Sequence, residues 1–128
     1  TISANVKLHN TLWVPAHFHT YFLGGLVFMV AGYFYHRVQE LAVSPESGGR
    51  QRTAVLLMVI GAYGLFAMFY VAGAYSMPRR YAVYPAELAF GTRYAAAGAA
   101  FAATFLLGTL VYLAETGKRW LRASRSMS

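Results

Sequence analysis

Long apolar stretches separated by short polar segments dominate the chain. Residues 13–35, 53–75 and 94–113 each supply about the 20 apolar residues that a helix needs to cross a bilayer. The first stretch is interrupted only by histidines, the second has no charged residue and the third is rich in alanine. Three such stretches leave almost no polar face for a soluble domain. The pattern therefore predicts an all-α transmembrane helical bundle with three spanning helices.

The basic residues of the polar segments predict the orientation of these helices. The loop between the first two helices and the C-terminal tail hold seven lysines and arginines, whereas the opposite side holds four. Because the cytoplasmic side carries the excess of basic residues, we expect the C-terminus in the cytoplasm. Arg79 and Arg80 lie on the outer side, against this bias, and so need an explanation of their own.

Composition narrows the function classes. Only 12% of the 128 residues are charged, about half the globular average, and cysteine is absent, which excludes disulfide and thiolate-metal chemistry in this chain. The net charge of +7 is not arranged as a basic stripe with stacking aromatics, so membrane lipid rather than nucleic acid is the expected partner. Glu87 is expected in the first turn of the third helix. Small residues at four-residue spacing predict close packing of that helix in a larger bundle; they are Ala95, Gly98, Ala99, Ala102 and Ala103.

Two histidines lie just inside the first apolar stretch, in a segment that runs His-Asn-Thr-Leu-Trp-Val-Pro-Ala-His-Phe-His from His9 to His19. Ionisable groups at that depth are functional candidates by default. At about 100° per residue, His17 and His19 project about 200° apart around a helix. They cannot bind one ion together, but each can hold a separate cofactor. The alternative is a pair of buried histidines that are hydrogen-bonded within the bundle.

This segment resembles the last haem-ligating motif of subunit I of the haem-copper oxidases. About sixty residues further along, Met77-Pro78-Arg79-Arg80-Tyr81 and Tyr84-Pro85 resemble the Met-Pro-Arg-Arg-Tyr loop of the same subunit. The two motifs occur in the order of the family, and the His-Asn-Thr string is similar to its B branch. The resemblance implies that residues 1–128 are the C-terminal three-helix portion of a longer subunit.

The resemblance also implies roles for individual residues. His17 corresponds to the proximal ligand of the high-spin haem, where oxygen reacts, and His19 to an axial ligand of the low-spin haem. Arg79 and Arg80 correspond to the pair that binds haem propionates, although paired arginines beside a membrane helix are commonly interfacial. His9 lies near a propionate. Its neighbour is Asn10 where magnesium-binding members have aspartate, which argues against a magnesium site.

The implied function is that of a respiratory terminal oxidase, active only when assembled with the rest of subunit I. Such an enzyme reduces oxygen to water with electrons from cytochrome c and couples this reaction to proton translocation. The implied partners are the preceding helices, a copper-containing subunit II and cytochrome c or a similar donor, in a bacterial or archaeal plasma membrane. Copper would be bound by residues outside this chain. Nitric oxide reductase, quinol oxidase, a non-enzymatic di-haem membrane cytochrome and a structural membrane subunit remain as alternatives.

Overall fold

The computed structural model describes residues 7–41, 48–80 and 83–126, which form a bundle of three long helices. Helix α1 spans Trp13–Leu41, α2 spans Gly49–Ala74 and α3 spans Gly91–Ser126. All three are long and apolar enough to cross a membrane, and the described ranges contain no strand. The predicted all-α transmembrane fold is thus confirmed. Most of the loop between α1 and α2, and Tyr81 of the second motif, lie outside the described residues.

The helices extend beyond the apolar stretches. Helix α1 continues to Leu41 and α3 to Ser126, because the polar residues that follow the apolar stretches include good helix formers and no proline interrupts either segment. These are arginine, glutamine and glutamate in α1, and lysine and arginine in α3. The start of α3 differs from the prediction. Glu87 lies in a short 3₁₀ turn, Ala86–Leu88, and not in the first turn of α3, since that helix begins only at Gly91.

Helices α2 and α3 pack with their backbones in contact. A Cβ atom on Gly61 would lie 2.4 Å from the backbone nitrogen of Phe105, and one on Gly108 would lie 2.7 Å from that of Met58. Small residues at a helix interface permit this approach. Of the small residues predicted to pack, Gly98 is buried, Ala102 is half-buried, and Ala95, Ala99 and Ala103 are exposed. The exposed alanine face is free to meet a further helix.

Helix α1 packs on α2 along a stripe near its start and again further along, where Phe28 and Ala31 pack against a cluster that includes Ala54 and Met58. A Cβ atom on Gly73 would lie 2.3 Å from the backbone nitrogen of Trp13. The ring of Trp13 makes an edge contact with Tyr70 at 4.7 Å between centroids, and the hydroxyl of Tyr70 lies 3.2 Å from that of Thr20. Ala16, between these contacts, is fully buried. The stripe formed by Trp13, Ala16 and Thr20 fixes the rotation of α1 about its own axis.

Candidate functional site

The stripe on α1 determines where the two histidines project. With about 100° per residue, His17 lies to one side of the stripe and His19 to the other. The side chain of His17 is exposed and that of His19 is half-buried. The two rings therefore project from opposite flanks of α1, and both flanks are distinct from the face that contacts α2.

The ring of His19 is held by its own helix. Its Nδ1 atom lies 2.6 Å from the carbonyl oxygen of Pro15. Because a carbonyl only accepts hydrogen bonds, Nδ1 is the protonated nitrogen, and the neutral ring keeps a lone pair on Nε2. Metal-binding histidines are typically oriented in this way. Pro15 is tolerated here because it lies in the first helical turn, where a backbone N–H has no partner in the helix. His19 thus has an unprotonated Nε2 atom that can bind a metal ion.

His17 has a different environment. Its ring makes an edge contact with Tyr21, one turn further along the helix, with 5.0 Å between centroids and an interplanar angle of 85°. Within the described ranges, no group of three or more His, Cys, Asp and Glu side chains is placed to hold a metal ion. The pair can therefore contribute one ligand each to two separate centres and does not form a common ion site.

The second motif docks on the first. Leu12 donates its backbone N–H to the carbonyl of Met77 at 2.9 Å, and Arg79 donates its own to the carbonyl of Asn10 at 2.9 Å. Thr11 and Pro78 form an antiparallel bridge between these bonds. Thr11 also accepts a hydrogen bond from the N–H of Trp13 through its hydroxyl, at 3.3 Å. The bonds donated by Leu12 and Trp13 satisfy backbone N–H groups at the start of α1 that the helix itself leaves without partners.

The end of α2 directs the loop to this position. Ser76 donates to the carbonyl of Gly73 at 3.0 Å and Met77 to that of Ala72 at 3.1 Å, the pair of bonds that defines a Schellman motif. Ser76 accordingly has a φ of 60°. Met77 is completely buried, and a Cβ atom on Gly91 would lie 1.8 Å from its methyl group. The loop is therefore fixed between the starts of α1 and α3.

The docked loop gathers positive and donor groups at one end of α1. Arg79 donates from Nη2 to Oδ1 of Asn10 at 3.1 Å, while its Nε atom is buried and has no hydrogen-bond partner in the part of the chain that the structure describes. Arg80 and His9 are exposed beside it. Because Nη2 bonds a neutral oxygen, the guanidinium keeps its charge and can bind an acceptor supplied from outside the chain. A carboxylate is the acceptor that an arginine binds best.

The sequence predicts five site residues: His9, His17, His19, Arg79 and Arg80. It does not predict the side chains that connect the two motifs. From the sequence, Asn10 is only a poor magnesium ligand within the His-Asn-Thr string. Its contact with Arg79 joins residues that are 69 positions apart in the sequence. The hydroxyl of Tyr84 likewise donates to the carbonyl of Pro78, at 3.3 Å. The only local signal was the Asn-Thr pair before α1, which is typical of a helix start.

Comparison with known proteins identifies the family of the chain. The family model of cytochrome c and quinol oxidase polypeptide I matches residues 1–110, which include both motifs, all of α1 and α2 and more than half of α3. No solved structure matches the chain. Because the match covers most of the sequence, the chain belongs to the family of subunit I of the haem-copper oxidases, which are oxidoreductases of the membrane.

Proposed function

We propose that this chain is the haem-ligating C-terminal portion of subunit I of a respiratory terminal oxidase that reduces oxygen to water. The observation that carries this proposal is the projection of His17 and His19 from opposite flanks of one helix. The exposed surface of α1 supports packing against further helices and cofactors. Only 6% of its apolar stretch is buried in this structure, against 28% for α2. Electrons would come from cytochrome c, and the reaction would be coupled to proton translocation.

In this proposal each histidine binds its own haem iron. His17 is the ligand of the high-spin haem and His19 a ligand of the low-spin haem. The bond from His19 to Pro15 fits a ligand role, because it holds the ring and leaves Nε2 for a metal. When bound, the haems supply the iron that carries electrons and binds oxygen. The contribution of α1 is to keep the two imidazoles apart and aimed in different directions.

Arg79 and Arg80 bind the haem propionates, with His9 beside them. The side chain of Arg79 donates to the neutral amide of Asn10, so its uncompensated charge fits a carboxylate that the chain itself does not provide. Two guanidinium groups favour the ionised form of such a carboxylate, since an opposite charge nearby stabilises it. The copper ligands, the second low-spin ligand and the proton pathways belong to other helices of the subunit. Asn10 contributes its oxygen to Arg79, and we propose no magnesium site here.

The wider assembly follows from the same proposal. The chain packs against the preceding helices of subunit I and functions with a copper-containing subunit II and a cytochrome c or similar donor. It lies in the plasma membrane of a bacterium or archaeon with its C-terminus in the cytoplasm. The His-Asn-Thr string places it with the B branch of the family.

Quinol oxidation is the second candidate, because the family that matches the chain includes quinol oxidases as well as cytochrome c oxidases. Steady-state oxidation of reduced cytochrome c and of a quinol by the purified assembly distinguishes the two. A cytochrome c oxidase also contains a copper site in subunit II, which metal analysis detects. Rapid turnover of the quinol alone would replace the first proposal with the second.

Single histidine substitutions test the assignment of the two irons. In the assembled oxidase, we expect His17→Ala to abolish carbon monoxide binding to the reduced enzyme while the low-spin haem spectrum persists. His19→Ala should do the reverse, because it removes a ligand of the other iron. Both signals are read from the Soret and α bands of difference spectra.

The control is His36→Ala, which changes an exposed histidine at the far end of α1 and should leave both spectra intact. Loss of both haem signals to the same extent in His17→Ala and His19→Ala would contradict separate ligand roles. Unchanged haem content in both variants would contradict haem ligation by this chain altogether.

A further inference from the structure

We infer that Asn10 is a positioning residue that holds Arg79 in place without neutralising it, so that the guanidinium charge remains for a carboxylate of the bound haem. The inference rests on the proposed role of Arg79 as a propionate-binding residue. It adds a residue that the motif comparison treated only as a departure from a magnesium ligand. It also gives a physical reason for a neutral side chain at this position.

Asn10 contacts Arg79 at two points. Its backbone carbonyl accepts from the backbone N–H of Arg79 at 2.9 Å, and its Oδ1 accepts from Nη2 at 3.1 Å. One residue therefore fixes both the backbone and the outer end of the arginine. The φ of Asn10 is 64°, a left-handed conformation that asparagine tolerates better than most residues. This conformation directs the carbonyl and the amide of Asn10 toward the same partner.

The charge of residue 10 determines how strongly the guanidinium of Arg79 attracts a haem carboxylate. An amide oxygen accepts one hydrogen bond and carries no net charge, so the guanidinium stays fully positive. A carboxylate at the same position would form an ion pair with Arg79 and compete with any propionate for its donors. Asn10 thus orients Arg79 and leaves its charge to an external acceptor.

The reduction potentials of the two haems test this role. A positive charge near a haem stabilises its reduced form, so Asn10→Asp should shift the reduction equilibrium of the haem that Arg79 contacts about tenfold toward the oxidised form. For a one-electron couple this corresponds to a fall of about 59 mV. Spectroelectrochemical titration of the assembled oxidase measures both potentials. Thr92→Asp is the matched control, since it adds the same charge at an exposed position in the first turn of α3.

A second variant separates orientation from charge. Asn10→Gly keeps the backbone conformation, because glycine accepts a φ near 64°, but it removes the side-chain acceptor. We expect a smaller fall in potential than in Asn10→Asp, since the guanidinium loses its fixed position and keeps its charge. Asn10→Gly also covers the case in which the aspartate variant assembles without haem.

Arg79→Gln distinguishes failure of this inference from failure of the proposed function. If Arg79→Gln lowers one potential while Asn10→Asp and Asn10→Gly change it no more than Thr92→Asp, the positioning role of Asn10 is wrong and propionate binding by Arg79 stands. If Arg79→Gln leaves both potentials unchanged, propionate binding by Arg79 is wrong and the role of Asn10 falls with it. A graded fall, largest in Asn10→Asp and smaller in Asn10→Gly, supports the inference.

Discussion

Backbone strain at the level of single residues is concentrated around the docked loop. Within the described ranges, three residues other than glycine have positive φ angles: Asn10, Ser76 and Arg80. Asparagine adopts this region with little penalty, whereas strained residues of other kinds cost about 1–3 kcal/mol each. Such strain persists only where surrounding contacts impose it. Ser76 and Arg80 flank the Met77–Arg79 segment and Asn10 is hydrogen-bonded to it, so the strain marks the site where Arg79 is held.

Ser76 allows the strain to be measured. We expect Ser76→Gly to stabilise the assembled protein by about 1 kcal/mol, because glycine adopts the left-handed conformation without a Cβ clash. Thermal unfolding followed by loss of the haem spectrum measures the change. The control is Ser124→Gly, which places glycine within α3 and should destabilise by about 0.5–1 kcal/mol. Equal destabilisation by both substitutions would show that the φ of Ser76 is not strained.

At the scale of helices, close packing holds α2 against α3 and leaves α1 more loosely attached. The interface between α2 and α3 brings backbone against backbone at Gly61 and Gly108. Helix α1 is attached to α2 through the stripe near its start and, further along, through Phe28 and Ala31, which pack against a cluster formed by Ala54, Met58 and Tyr112. The hydroxyl of Tyr112 on α3 also donates to the carbonyl of Ala31. A π-helical turn at Phe22–Val27 lies between these contacts. The histidines therefore lie on the segment of α1 that α2 holds most firmly.

A pair of glycine substitutions tests the packing of α2 on α3. Gly61→Ala places a Cβ atom 2.4 Å from a backbone atom of α3, so the helices must separate, and we expect less assembled haem-containing oxidase. Gly117→Ala adds the same atom where nothing lies within 4 Å, and it should be neutral or stabilising by about 1 kcal/mol. Haem content per unit of membrane protein measures both. Normal assembly of Gly61→Ala would rule out this close interface.

At the scale of the whole molecule, the two ends of the bundle differ in how their charges are used. At the proposed cytoplasmic end, Glu115 lies 3.1 Å from Lys118 and 3.7 Å from Arg50, while Gln51 is buried and donates to Thr116. Solvent-screened pairs of this kind contribute little to stability. At the opposite end, Arg79 is bound only by a neutral amide among the described residues. The end that is proposed to meet the haems thus keeps its positive charge.

The proposed orientation is open to a direct measurement because the chain has no cysteine. Val83 is 83% exposed in the outer loop, and Ser124 is exposed near the end of α3. We expect a membrane-impermeant maleimide to label Val83→Cys in intact cells and Ser124→Cys only after permeabilisation. The parent oxidase gives the background from cysteines elsewhere in the assembly. Labelling of Ser124→Cys alone in intact cells would reverse the orientation.

The helical fold, the number of apolar helices and the divergence of His17 and His19 all follow from the amino-acid sequence. Each of these follows from local rules, since helical periodicity and the length of an apolar stretch involve residues close together in the chain. The ends of α1 and α3 were less well predicted, because polar residues that are good helix formers continue each helix beyond the apolar stretch. The roles of His17, His19, Arg79, Arg80 and His9 stay predictions.

The way in which the two motifs meet follows from the packing of the helices and not from any local pattern. The bonds of Asn10 to Arg79 and of Leu12 to Met77 join segments more than sixty residues apart, and no local pattern specifies such partners. They depend on where α2 ends, on the left-handed turn at Ser76 and on the close contact of Gly73 with Trp13. The same packing selects which face of α1 meets α2, and thereby leaves both imidazoles clear of that contact.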